Sequence, residues 1–385
     1  MSRTLIISDL HLGSASRGSV LERSGPLERL LAEVERSDRL VLLGDIVELL
    51  EGRATAALAT AAPILTALGA RLGRSGEVIL VPGNHDRPMI RGWLRGRGSD
   101  LGLEEHVPLD ASPALSAITG YLGTRHTEVR YPGVRLTPGI WATHGHYLNR
   151  HLVPVSSWGW LAGRRREGEE RTGPWQYERT GRVPLSPVMR WFPSPLGEGV
   201  HELASFLRST TMPAIQEGVL DPRIAPLTWR LLSRQMRRHA LPAMARVIGR
   251  LGVDAEWVVF GHVHRLGPLG AEDAGAWRPG PREPAFLNTG AWLYEPRLVA
   301  HSRPPHPYWP GGAVVLEDGS PPRPLGLLDD FGAADLRAPC QGLEREQAPD
   351  RGQDGEGNRG QPCDPGQQGD AWQQGDAWPR SARPV

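Results

Sequence analysis

A chain of 385 residues with 39% hydrophobic side chains is long enough to bury a sizeable core, in one large domain or two. Its net charge of +1 identifies no acidic or basic partner, and all 44 of its Lys+Arg residues are arginine. Both cysteines, Cys340 and Cys363, fall near the C-terminus, which excludes a disulfide framework or thiolate centre in the main body, so a metal held there would need oxygen and nitrogen donors.

From the N-terminus, Met1 to Arg3 run straight into an apolar stretch, so no leader peptide is expected, and none of the apolar runs reads as the roughly 20 residues of a spanning helix. A cytoplasmic enzyme or binding protein is therefore expected. The first run, TLIIS, stops at Asp9 and His11 in SDLHLG. A helical segment over 26 to 36 leads to RLVLLG, which stops at Asp45, with Glu48 third after it. A second helical segment, 54 to 73, precedes EVILVPG and then Asn84, His85 and Asp86. GIWAT ends at His144, with His146 two residues on, and EWVVFG ends at His262, His264 and Arg265.

Runs this short and uniformly apolar predict strands buried on both faces, and their alternation with helices predicts βαβ units. In open α/β sheets ligands bind beyond the carboxyl ends of the strands, where each of these runs delivers metal-capable side chains. Asp9 and His11, like His262 and His264, are two apart, so in extended chain each pair projects to one side. Any one motif has an ordinary reading, GNHD as a turn whose Asp86 caps the next helix among them. Five in this order, each closing an apolar run, have no comparable structural explanation. NTGAW, residues 288 to 292, reads as packing for a closing strand.

Between the fourth and fifth runs, about 148 to 250, lies a segment of different character. Residues 147 to 250 hold five of the 13 tryptophans (158, 160, 175, 191 and 229) and 16 Arg against 8 Asp plus Glu. Helical stretches are expected at 200 to 215 and 226 to 251. The segment reads as a cap inserted in a core of 1 to 147 and 253 to 317, within a domain ending at 334. From 335 to 385 the chain is polar, with QQGDAW written twice, and is expected to be a disordered tail.

The set D-x-H, G-D-x-x-E, G-N-H-D, H-G-H and G-H-x-H resembles the calcineurin-like metallophosphoesterase superfamily. That resemblance implies an α/β sandwich of two facing mixed sheets flanked by helices. It also implies two divalent ions, manganese first with Fe, Zn, Co or Ni as alternatives. Asp9, His11, Asp45 and His264 would hold one and Asp45, Asn84, His144 and His262 the other. A metal-bridging hydroxide would attack phosphorus in a phosphodiester, phosphomonoester or pyrophosphate. His85, oriented by Glu48 where the family often has Asp, would protonate the leaving oxygen. His146 and Asp86 would stand behind the ligands, and Arg265 would bind substrate phosphate bidentately.

DLHLG, GDIVE and GHVHR resemble the branch of UDP-2,3-diacylglucosamine pyrophosphohydrolases. That branch has Arg in place of His85 and HGD in place of HGH. The expected substrate is a phosphorylated small molecule or lipid-linked compound. The cap reads as a lid that grips it, as a patch that meets an anionic surface in peripheral membrane contact, with Trp158 and Trp160 the candidates for interfacial or ligand-stacking contact, or as a helical lid whose Trp residues form a small core of their own and whose Arg residues face water. A DNA nuclease is the alternative within the superfamily, although the cap carries no nucleic-acid motif. A non-catalytic scaffold is disfavoured because none of the expected ligand positions is missing.

Overall fold

The computed structural model describes residues 2–14, 18–73, 75–124, 126–152, 172–179, 229–230, 232–234, 236–270 and 274–337. The chain divides into two units, Met1–Ala338 and Pro339–Val385, and the second lies outside the described residues.

All five apolar runs are strands: β1 (Arg3–Ile7), β2 (Arg39–Leu42), β3 (Glu77–Leu80), β6 (Ile140–Thr143) and β7 (Trp257–Phe260). Five more complete a ten-stranded sheet: β4 (Glu104–His106), β5 (His126–Thr137), β8 (Ala285–Asn288), β9 (Gly312–Glu317) and β10 (Arg323–Gly326). The strand order is β10-β9-β1-β2-β3-β5-β6-β7-β8, with β4 attached to β5. β1, β2, β3 and the start of β5 are parallel, as are β6, β7 and β8, whereas β5 meets β6 antiparallel.

The long strand β5 joins two halves. Its first residues, His126 to Val129, pair with β3, and Gly133 to Thr137 pair with β6. Pro132, which has no N–H for a ladder, falls at the changeover between partners.

Period-two alternation then sorts side chains into layers. Ile6, Val41, Ile79, Ala142, Val259, Leu287 and Val314 meet in one cluster between the halves. Their neighbours Leu5, Ile7, Leu40, Leu42, Val78 and Leu80 face a second cluster under the helices. Trp141, Val258, Phe260 and Phe286 face a third. Two sheet halves thus face each other with helices outside, as the sequence implies.

The outer helices follow from amphipathic spacing. α1 (Ser24–Val34) buries Leu30, Leu31 and Val34. α2 (Ala54–Leu72) buries Ala57, Ala61, Ile64, Leu65, Leu68, Gly69 and Leu72. α3 (Arg91–Arg97) and α4 (Pro113–Leu122) follow, the latter started by the Ser112 side chain, which accepts the Leu115 amide. Among the described residues one helix, α2, is long and apolar enough to cross a membrane by length and composition alone. Here it lies on the first sheet half with its large aliphatics inward, a setting that accounts equally for its apolarity.

Of the expected cap, short helices α5 (Asn149–Leu152) and α6 (Pro174–Arg179) are described, as are helical residues at 229–230 and 232–234. The helix expected at 200 to 215, Trp158 and Trp160 lie outside the described residues. A π-helical turn, Met236–Ala240, runs into α7 (Leu241–Leu251), whose Leu241, Met244, Val247 and Ile248 pack on the outer face of β6 and β7. α7 is thus the crossover helix between those two parallel strands.

The interior between the halves gives a stability test. Ile6 is fully buried there, so Ile6→Ala should cost about 2–5 kcal/mol, read as a lower urea midpoint at unchanged far-UV circular dichroism.

Candidate metal centre

Register places the carboxyl ends of β1, β2 and β3 side by side: Ile7 is level with Leu42 and Leu42 with Leu80. Thr143 and Phe260 end together in the other half. The next residues of each strand therefore emerge along one edge.

The loops there hold an unusual backbone. Among the described residues only six non-glycine residues have positive φ, and Asp9 (55°), His11 (44°), Asp45 (52°), His262 (68°) and His264 (54°) are five of them. Such conformations cost about 1–3 kcal/mol each and persist where surroundings over-determine them.

The side chains converge. Asp9, His11 and His264 offer donor atoms within 4.8 Å of one another, as do Asp45, His144 and His262, and so do His11, Glu48 and His85. Oδ2 of Asp45 is 3.1 Å from His144 Nε2 and 3.8 Å from His11 Nε2, so one oxygen reaches two of these groups. Its Oδ1 accepts the His85 amide at 2.8 Å. The Asn84 side-chain oxygen Oδ1 is 3.2 Å from His144 Nε2, and His264 Nε2 is 3.2 Å from Asp9 Oδ1.

Neighbouring groups fix how the donors face. His144 Nδ1–H donates to the Leu43 carbonyl at 3.0 Å, which leaves Nε2 as the lone-pair donor. Asp9 Oδ2 accepts the Ser8 hydroxyl and the His262 amide, leaving Oδ1 toward the site. Ser8 in turn meets the Thr289 hydroxyl at 2.6 Å, and the Trp292 amide donates to the Asp9 carbonyl. NTGAW packs behind Asp9, as expected.

Glycine supplies room at two of these turns. A Cβ on Gly83 would lie 2.2 Å from Asp45 Oδ1, and one on Gly261 would lie 2.3 Å from Ser8 Oγ. Either would push a carboxylate or its support out of place.

Glu48 does more than the sequence suggests. Its Oε2 is 2.6 Å from His85 Nδ1, the expected pair, and also 3.1 Å from His11 Nδ1. Oε1 accepts the amides of Leu50 and Glu51. Burial would raise this carboxyl, but hydrogen bonds from the two imidazoles outweigh it and hold it at about 2.

Asp86 requires a correction. It stands at the start of a short helical turn, yet its side chain makes no cap there. Its oxygens instead accept the amides of Ile46, Val47 and Gly83 at 3.0–3.2 Å, lashing the loop after β3 to that after β2. Burial, with Asp45 adding, pushes its carboxyl up to about 6.

Arg265 also sits differently from a phosphate-facing residue. It is fully buried, with its guanidinium over the Trp277 ring at 5.1 Å and Nε 3.3 Å from Ser233 Oγ. An arginine packed this way anchors the residues after His264 to the helical stretch at 232–234.

His146 is behind His144, with ring centroids 5.6 Å apart, and its Nε2 is 3.3 Å from the Tyr131 hydroxyl. Glu178 of α6, given no role by sequence reasoning, accepts hydroxyl protons from Tyr131 and Tyr147 and pairs with Arg87 at 2.7 Å.

The donors fit divalent cations. Nε2 of His11 and Nε2 of His262 are buried and make no hydrogen bond, so each ring turns a nitrogen toward the shared space. Burial lowers His11 below the ordinary imidazole value, and burial with the charge of His144 lowers His262 well below it, which keeps both as neutral donors. His144 goes the other way. Burial pulls it down, but the carboxylates of Asp45 and Asp9 outweigh burial and raise it to about 9. Positive charge is stabilised at that spot, and a cation bound there would take the proton's place. Oxygen and imidazole donors without sulfur are the set expected for first-row divalent metals or magnesium-like ions.

A family model for calcineurin-like phosphoesterases matches residues 2–266. No curated protein matches. Among solved structures the chain is similar to a dimetal phosphatase from Danio rerio, at 13% identity, covering 82% of this chain and 93% of that one with a TM-score of 0.33.

The crowding at Gly83 is testable without reference to catalysis. Gly83→Ala should weaken divalent-ion binding in equilibrium dialysis by about 10-fold or more. Gly92→Ala, whose added Cβ would meet nothing within 4 Å, should leave binding unchanged.

Proposed function

The chain belongs to the calcineurin-like phosphoesterase family and is a metal-dependent phosphoric ester hydrolase, and from that premise we propose how its residues divide the work. Asp9, His11, Asp45 and His264 would hold one divalent ion; Asp45, Asn84, His144 and His262 would hold a second. The observation that carries this reading is the position of Asp45 Oδ2, within 3.8 Å of His11 Nε2 and 3.1 Å of His144 Nε2, between the two donor sets. Manganese is the proposed ion.

When bound, such a pair acidifies water and neutralises charge that develops on phosphoryl oxygens. The protein's own part is proton handling and orientation. His85 is the proton donor to the leaving oxygen. Glu48 accepts the proton on His85 Nδ1, which points Nε2 away from the carboxylate as the atom that gives up its proton. His85 keeps 17% of its side chain exposed while Glu48 keeps 1%, so the donor faces the mouth and its orienter faces the interior.

The bond cleaved is a phosphodiester, phosphomonoester or pyrophosphate of a phosphorylated small molecule or lipid-linked compound. His85 and His146 stand where the UDP-2,3-diacylglucosamine pyrophosphohydrolases have other residues, so the proposal stops short of their substrate.

Hydrolysis of bis-p-nitrophenyl phosphate with manganese checks the assignment. His85→Ala should lower kcat by about 10²–10⁴-fold with the ions retained. Asp45→Asn should harm activity more than Asn84→Ala, because Asp45 serves both ions. Parental activity in Asp45→Asn, or an inert parent that takes up no metal, would overturn the reading. A screen of phosphomonoesters, cyclic nucleotides, nucleotide sugars and DNA would assign the substrate class.

A further inference from the structure

Glu178 lies far from the donor residues in sequence, in the short helix α6 of the inserted segment. Its side chain is 3% exposed, a costly place for a carboxylate unless each oxygen is engaged. Both are. Oε1 accepts the hydroxyl protons of Tyr131 and Tyr147, the latter at 2.8 Å, and lies 3.9 Å from His146 Nε2. Oε2 pairs with Arg87 NH2 at 2.7 Å, and that nitrogen also approaches the Glu178 carbonyl at 3.4 Å.

The placement of these partners matters more than their number. Arg87 is three residues past Asn84, on the loop after β3. His146 and Tyr147 are two and three residues past His144, on the loop after β6. Asn84 and His144 are neighbours, Oδ1 to Nε2 at 3.2 Å, and they come from opposite sheet halves. One carboxylate from the inserted segment therefore ties together the loops that present them. Stacking reinforces the tie: the Tyr147 and Tyr177 rings lie 4.8 Å apart and 9° from parallel.

No comparable clamp is needed on the other side. The loops after β1 and β2 belong to adjacent parallel strands and are joined by backbone hydrogen bonds, Asp9 N–H to Gly44 O and His11 N–H to Asp45 O, both at 2.9 Å. Asn84 and His144 have no such shared ladder.

We propose that Glu178 is a positioning residue for the Asn84–His144 side of the centre, so that docking of α6 adds to the His144–Leu43 hydrogen bond in holding these two side chains at ion-binding distance. The inference rests on the two-ion reading above. The inserted segment then has a role in metal retention, separate from any contact it makes with substrate. Glu178→Gln keeps the shape and can still accept from one tyrosine, but it removes the charge that holds Arg87.

The test uses the full chain, with Mn²⁺ as probe in isothermal titration calorimetry, beside kcat, KM and thermal midpoint. In the parent two ions should bind, and Asn84→Ala identifies which isotherm belongs to the Asn84 side. Glu178→Gln should weaken that same ion by about 10- to 100-fold and the other by less than about twofold. Arg87→Ala should weaken it too, and the double variant should be no worse than Glu178→Gln alone, as partners in one contact require. Unchanged binding of both ions in Glu178→Gln would overturn the proposal. So would equal weakening of both in step with a lower thermal midpoint, the signature of general loosening. A parent that binds fewer than two ions would instead bring down the two-ion reading itself, before any variant is compared.

Discussion

Asp45 must satisfy three neighbours with two oxygens. Oδ1 takes the His85 amide, and Oδ2 faces both the His144 and His11 rings. Burial alone would raise this carboxyl, but the charges of His144 and His85 and the hydrogen bond from His144 hold it well below its ordinary value. It is a buried anion kept charged by imidazoles placed around it. Much of the surrounding architecture serves that arrangement. The glycine at 83 leaves room for its oxygen, and Asp86 accepts the amides of Ile46, next to it in the chain, and of Gly83 on the neighbouring loop. The parallel register of β2 and β3 brings the loops after them alongside each other.

The strained backbone is affordable because hydrogen bonding does not stop where the strands do. Beyond the last paired residues of β1 and β2, the amides of Asp9, His11, Leu12 and Glu48 donate to Gly44, Asp45, Ile46 and Leu12 in turn, at 2.9–3.0 Å. The two loops thus continue the ladder while twisting through left-handed conformations. A loop free to relax would leave αL at a cost saving of about 1–3 kcal/mol per residue. Locked to its neighbour, it cannot do so one residue at a time. Left-handed turns at Asp9 and His11 also undo the simple expectation that residues two apart point to one side as in an extended strand. The pair does converge, but through strain.

Sequence made the central strands legible because burial on both faces leaves short, continuous apolar runs. β5 escaped that signal. Its text, HTEVRYPGVRLT, alternates charge with apolar residues and contains a proline, the marks of an edge or a turn. The strand has those marks because it bends and changes partners. β4, three residues with two glutamates, carries no apolar signal. The residues that converge at the carboxyl edge were legible through their place at strand ends. Glu178 was not, since its partners are 31, 47 and 91 residues away and nothing near it distinguishes it from a surface acid. Arg265 was misread for a related reason: beside a ligand in sequence, it turns instead under Trp277.

Glu48 shows why a carboxylate one methylene longer than aspartate is consistent with this centre. Its Oε2 takes the Nδ1 protons of His11 and His85 together, while the rings meet edge to face with centroids 4.7 Å apart. Its other oxygen is fixed by two amides, so it cannot swing from one ring to the other. The two imidazoles therefore compete for one acceptor. A single oxygen atom thus orients two rings at once, His11 with 2% of its side chain exposed and His85 with 17%.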